Sequence, residues 1–184
     1  MIYVLVALEN ELPDELPDDY RLVYTGIGKI NATYAALKTA LLEDCEEIIN
    51  YGTAGTLNHA HAGELLQIGT LHQRDMDARP LAALGETPLE TRVSAQAIEL
   101  PSGAYSLSTG DNFVTATPEI ASDAVDMEAY AIAKVCALEG VPFSCFKFIT
   151  DLADENAAEH WQENVSLGAK AFTERLFQAS SGGC

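Results

Sequence analysis

Apolar positions in this chain fall into short continuous runs, separated by stretches with a helical beat or no beat at all. Ile2 to Leu8 is apolar on both alternating faces, which predicts a strand in a sheet covered on both sides. An acidic, proline-bearing connection over 10–19 leads to a short strand, Arg21 to Tyr24. Thr25-Gly-Ile-Gly28 reads as a tight turn into a helix over 29–44, with Ile30, Leu37 and Leu41 sharing its apolar side. A strand starts over 47–50 and stops at Gly52-Thr-Ala-Gly55, and another spans 65–71. From 75 to 103 no strong period survives and Pro80, Pro88 and Pro101 interrupt the chain, so this is a long excursion, functional or interfacial. A strand over 105–108 ends at Thr109-Gly-Asp-Asn-Phe113. The spacing predicts a helix over 127–139 with Ala129, Ile132 and Cys136 on one face, stopped by Gly140 and followed by Pro142. Phe143 to Ile149 is a buried strand, and 157–177 the last helix. Strands alternating with helices predict an α/β fold: a single domain over 1–178 with a central mixed, largely parallel sheet flanked by helices. Residues 179–184 would form a flexible tail.

Composition narrows the classes. At 184 residues, 48% of them hydrophobic, the chain suits one domain with a real core. The net charge of −18 repels phosphates, so neither nucleic acid nor an anionic membrane is an expected partner. No apolar run approaches the ~20 residues that span a bilayer. The opening run has no basic lead and meets Glu9 at once, so it reads as a buried strand rather than a signal peptide. Cys45, Cys136, Cys145 and Cys184 show no CxxC spacing, which predicts reduced thiols in a cytoplasm and no metal site.

Three acids stand where an α/β chain keeps its ligands, near strand ends: Glu11, Glu128 and Asp151. Asp151 follows an apolar run, where a carboxyl resists ionising and can donate a proton near neutral pH; a cap or turn residue is the other reading. Glu128 opens a helix, as many plain first-turn acids do. Glu9 and Glu11 would ordinarily belong to a solvated loop. Gly26-x-Gly28 lacks the third glycine of a dinucleotide fingerprint, whereas the glycines at 52 and 55 would let a ligand approach the backbone. No GxxxxGK[ST] occurs. His59-x-His61, with only Glu64 near, reads as surface histidines or a metal pair. Ser106, Ser108, Thr109 and Thr150 lack the context of a nucleophile elbow.

Taken in order, several segments resemble the nucleoside phosphorylase/nucleosidase superfamily, and within it the 5′-methylthioadenosine/S-adenosylhomocysteine nucleosidases. They are Ala7-Leu-Glu-Asn-Glu11, Thr25-Gly-Ile-Gly-Lys29, Asn50-Tyr-Gly-Thr-Ala-Gly55, Gly110-Asp-Asn-Phe-Val114, Val125-Asp-Met-Glu-Ala-Tyr-Ala-Ile-Ala133 and Thr150-Asp-Leu-Ala-Asp154. Each is weak alone; the collinear set covers nearly the whole chain.

The resemblance implies a hydrolase of purine nucleosides acting in nucleoside catabolism and methionine salvage. It would need no cofactor and would work as a cytoplasmic homodimer. Asp151 would protonate the purine N7 and Glu11 would activate the water. Glu128 would grip the ribose hydroxyls, with Met127 against the sugar. Phe113 would stack on the base and the Val114 backbone would read its edge. Thr53 stands where the nucleosidases have serine, Thr150 beside the acid, and Trp161 near the 5′ substituent.

The departures are several. The chain is some tens of residues shorter than usual, with losses in 75–103 and between Phe113 and Val125. Asp126 replaces a glutamate, and the phosphate-holding arginines of the phosphorylases have no match. Arg74 and Arg79 are candidates for a partner subunit or an anionic 5′ group, and Leu81, Leu84 and Leu89 for the contact surface. A phosphate-dependent phosphorylase and a catalytically weak binding homologue remain the alternatives.

Overall fold

The computed structural model describes residues 1–12, 16–56, 61–152 and 168–181. Its strands are β1 (Ile2–Val6), β2 (Tyr20–Tyr24), β3 (Glu47–Thr56), β4 (Leu65–Gln73), β5 (Ala97–Glu99), β6 (Tyr105–Thr109), β7 (Ala124–Asp126) and β8 (Phe143–Leu152). Its helices are α1 (Lys29–Ala40), α2 (Ala129–Glu139) and α3 (Gly168–Ser181).

All eight strands join one mixed sheet in the order β2-β1-β3-β7-β6-β4-β5, with β8 pairing both β3 and β4. The path β3-β8-β4-β6-β7 therefore returns to β3, and the sheet closes into a ring. β1 and β2 extend from β3 as a parallel flap, and β5 hangs from β4. The pairs β3–β8, β4–β6 and β6–β7 are parallel, whereas β3–β7 and β4–β8 are antiparallel. The expected mixed, largely parallel sheet is present; its closure is not visible in hydrophobic pattern.

Packing explains where the pattern misled. In α1 the stripe Ile30, Leu37, Leu41 faces outward, with Ile30 82% exposed. The buried residues are Ala32, Ala36 and Thr39, because α1 lies against α2 and meets Ala131, Ile132, Val135 and Cys136. Small residues allow that close approach, so the alanine stripe wins over the bulkier one. Helix α2 follows expectation: Ala129, Ile132 and Cys136 are buried and Gly140 closes it in the left-handed region (φ 73). β3 does not stop at Gly52 but runs ten residues through to Thr56, held by β8 along one edge. β8 likewise runs to Leu152, so Asp151 lies inside a strand rather than past it, its backbone in register with Gly55. The excursion over 75–103 contains β5, and β7 precedes α2 where the pattern showed only the helix. α3 continues to Ser181, beyond the predicted end at 177 and into the segment expected to be a tail. On the α3 side, Tyr51 stacks on Phe172 at 4.3 Å within a cluster that includes Phe146, Phe148 and Leu176.

Candidate active site

β1 pairs with β3 only as far as Leu5↔Asn50, and β7 joins the same edge at Gly55↔Val125. Between them the β3 edge has no strand neighbour among the described residues, and an unpaired buried N–H is costly. Glu11 fills the gap. Its Oε1 accepts the Thr53 N–H at 2.8 Å and the Thr53 hydroxyl at 2.7 Å, while Oε2 accepts the Leu8 N–H at 3.1 Å. The side chain so held is 3% exposed, far from the solvated loop residue its neighbours suggest. Glycine at 52 is part of this arrangement. A Cβ there would lie 3.2 Å from Lys147 Nζ and 3.5 Å from Glu11 Oε1. The strand passes between an anion and a cation because it carries no side chain.

Lys147, buried in the middle of β8, pairs with Asp126 Oδ2 at 2.9 Å. Asp126 is saturated: Thr109 donates to Oδ1 at 2.5 Å, and the N–H groups of Glu128 and Ala129 donate to Oδ2, which anchors the start of α2. Burial opposes ionisation of both partners, but their mutual attraction prevails. The Asp126 carboxyl is held below its usual range and the Lys147 ammonium above its own. Glu128 is different. Among the described residues its Oε1 accepts the Gly28 N–H alone, at 2.8 Å, just ahead of α1. Burial, then the nearby Asp126 charge, pushes its carboxyl up to about 7.

A loop over 110–113 closes the third side. Asp111 Oδ1 accepts the Lys29 N–H at 2.8 Å, and the Asp111 N–H goes to Asp75, which pairs with Lys29 Nζ at 2.6 Å. The loop thus meets the start of α1, beside the backbone that holds Glu128. Ala7, Leu8, Glu11, Ile27, Thr53 to Gly55, Arg74, Asn112 to Val114 and Val125 to Glu128 line one cavity of about 180 Å³. That is well above the ~30 Å³ share of a water molecule, so an organic ligand can enter. Carboxylates on two walls suit hydroxyl groups and proton transfer; a half-exposed aromatic, Phe113, suits a flat ring.

Of the residues singled out by sequence, Glu11, Thr53, Phe113, Val114, Met127 and Glu128 line this cavity. Thr150 is buried on β8, and the Asp151 backbone pairs beside cavity-lining Gly55. Trp161 lies outside the described residues, as do His59 and His160. His61 meets Glu64 at 3.0 Å. All four terminal N–H groups of Arg74 point at backbone carbonyls, and Arg79 is taken by Asp77 and Glu119. Lys147 and the structural use of Arg74 were missed. A lysine inside the apolar run Phe143 to Ile149 was the available signal, since a buried charge demands a partner.

A family model described as the phosphorylase superfamily matches residues 18–180. The chain belongs to that superfamily. The 5′-methylthioadenosine/S-adenosylhomocysteine nucleosidase of Glaesserella parasuis is 30% identical over 182 residues, covering 85% of this chain and 78% of the relative. The nucleosidase of the same name from Buchnera aphidicola is 28% identical over 171 residues, covering 80% and 73%. Among solved structures, the Helicobacter pylori enzyme of that name, complexed with a pyrrolidine-based ligand, superposes with a TM-score of 0.84. It is 23% identical and covers 100% of this chain and 98% of the other, which establishes the shared fold.

Proposed function

We propose that this chain is a purine nucleosidase that uses water to cleave the N-glycosidic bond of an adenine nucleoside, releasing adenine, without a cofactor. 5′-Methylthioadenosine and S-adenosylhomocysteine, named in its curated relatives, are the substrates of choice. The observation that carries this reading is the convergence of Glu11, Glu128 and the Phe113 loop on one cavity. Glycoside cleavage passes through an oxocarbenium-like state and needs a protonated leaving group on one face and a water on the other. Glu11 takes the proton from the water, its carboxylate aimed by Thr53 and Leu8. Glu128 keeps one oxygen for the ribose hydroxyls while the Gly28 N–H holds the other. Met127 packs on the sugar, Phe113 stacks on the base and the Val114 backbone reads its edge. Asp151 protonates N7, with Thr150 beside it, and Trp161 borders the 5′ substituent; these last roles rest on the sequence resemblance.

Water rather than phosphate is favoured because Arg74, the cation lining the cavity among the described residues, spends its terminal donors on carbonyls. The partner is a small nucleoside, and the charge of −18 argues against nucleic acid. Among the described residues no helix is long and apolar enough to cross a membrane. The free thiols of Cys45, Cys136 and Cys145 fit a cytoplasmic setting. A homodimer is supported by Ile27, Ile30, Tyr34, Leu37 and Leu41, exposed at alternating three- and four-residue steps along α1. Leu81 and Leu89, at 71% and 89% exposure, offer further apolar surface.

The test is turnover of 5′-methylthioadenosine with and without orthophosphate. Equal rates and free sugar as product are expected. Ribose-1-phosphate derivatives in phosphate buffer would replace the hydrolase with a phosphorylase, and no turnover would leave a binding protein.

A further inference from the structure

We propose that Arg74 is a positioning residue that fixes the base-binding loop against the ribose-binding segment, so that the two halves of the substrate site keep one geometry. The proposal rests on the nucleoside reading above. Arg74 follows β4 and is 8% exposed, yet among the described residues no carboxylate is hydrogen-bonded to its guanidinium. One terminal nitrogen donates to the Ser108 carbonyl at 2.6 Å and the Asp126 carbonyl at 2.7 Å. The other donates to the carbonyls of Gly110 at 2.9 Å and Asn112 at 2.7 Å. A single rigid plane therefore ties the ends of β6 and β7 to the loop that carries Phe113 and Val114. Asp126 leads directly into Met127 and Glu128, so the tie runs from the base side to the sugar side.

The loop is built to accept this plane. A Cβ on Gly110 would sit 3.0 Å from Arg74 Cγ and Cζ and 3.1 Å from Nε. Glycine is thus the residue that lets the guanidinium lie against the loop backbone. Burying the group lowers its affinity for a proton, while the charges of Asp126, Asp75, Asp111 and Glu128 counter that. A guanidinium stays charged under such conditions and presents its donors in a fixed planar fork. A lysine ammonium in the same place has three donors on a flexible stem, too few for four carbonyls. Because Arg74 acts through contacts that base and sugar make in ground state and transition state alike, its loss should appear in substrate binding more than in the chemical step.

The experiment compares wild type, Arg74→Lys and Gly110→Ala in steady-state turnover of 5′-methylthioadenosine, in inhibition by free adenine, and in thermal melting. Both variants are expected to raise KM and the adenine inhibition constant about tenfold or more, with kcat changed less than about threefold. Gly110→Ala keeps the arginine and its charge, so it separates displacement of the plane from loss of a cation. Variants that melt earlier but retain wild-type KM and adenine inhibition would make Arg74 a purely structural peg and overturn the proposal. So would a loss confined to kcat, or failure of both variants to reach the native fold. If wild type itself neither turns over nor binds an adenine nucleoside, the reading of the cavity fails; if wild type is active and both variants match it, this proposal alone fails.

Discussion

Glu11 and Glu128 share a cavity and differ in almost everything that holds them. Glu11 accepts three hydrogen bonds from its own protein and so has one fixed pose before any ligand arrives. Among the described residues Glu128 accepts one, from Gly28; it is pushed up to about 7 by burial and by Asp126, and has an oxygen to offer. One corner is preorganised; the other is left short of partners. A site needs both: a base whose aim costs nothing to reach, and a grip whose hydrogen bonds are completed by the substrate.

The hardest blow to this contrast should be Glu11→Gln. The amide can still meet Thr53 through its carbonyl oxygen but cannot take a proton from water. Turnover is expected to fall ~10²–10⁴-fold with KM little changed. A fall below about tenfold in single-turnover measurements would remove Glu11 as the base.

Next is Lys147→Met, which touches neither ligand side directly. It leaves Asp126 buried without its cation, at a cost of about 3–5 kcal/mol. The double variant with Asp126→Asn should recover much of that loss in chemical denaturation. If Lys147→Met melts like wild type, the pair is not what holds the Glu128 corner.

Smaller, and opposite in sign, is the stability of Glu128→Gln. In an unfolded chain the carboxyl titrates near 4.5, and in the fold it keeps its proton up to about 7. The folded state therefore binds the extra proton between those values, and stability falls as pH rises through 7. Glutamine has no proton to lose. Relative to wild type, the variant should gain stability from pH 5 to pH 8, by at most about 3 kcal/mol for a shift of 7 − 4.5 = 2.5 units. Its activity should suffer more on ribonucleosides than on 2′-deoxyribonucleosides, since the latter lack one hydroxyl to grip. In wild type, kcat/KM should climb through pH 7 as Glu128 ionises. A flat melting difference across that range would mean the carboxyl is not raised.

The contrast also shows what sequence alone conveys. The strand-helix alternation suffices for the α/β class, and the ordered segments contain Glu11, Thr53, Phe113, Val114, Met127 and Glu128, which line the cavity. Hydrophobic pattern failed where long-range pairing decides. Gly52 to Gly55 looks like a stop because glycine is poor in strands, yet β8 and Glu11 together hold it extended. The α1 stripe looks like a core face because its residues are large, yet alanines fit α2 better. Arg74 carries no local signature, and Lys147 only that of a charge within an apolar run, since their partners lie on β6, β7 and the loop between, tens of residues along the chain.

The closed ring has a consequence for how the chain comes off the ribosome. β3 finds β1 early, but its other edge pairs with β8, where Ile48 meets Phe143, a separation of 143 − 48 = 95 residues. Until that segment is synthesised, a strand that is buried along nearly its whole length must wait with one side unsatisfied. At ~5–20 residues per second, the wait is on the order of 5–20 s. Pairings this distant in sequence make folding slow, so the nascent chain is most exposed to aggregation after β3 emerges and before β8 does. Truncation before Phe143 should give insoluble protein rather than a smaller folded unit.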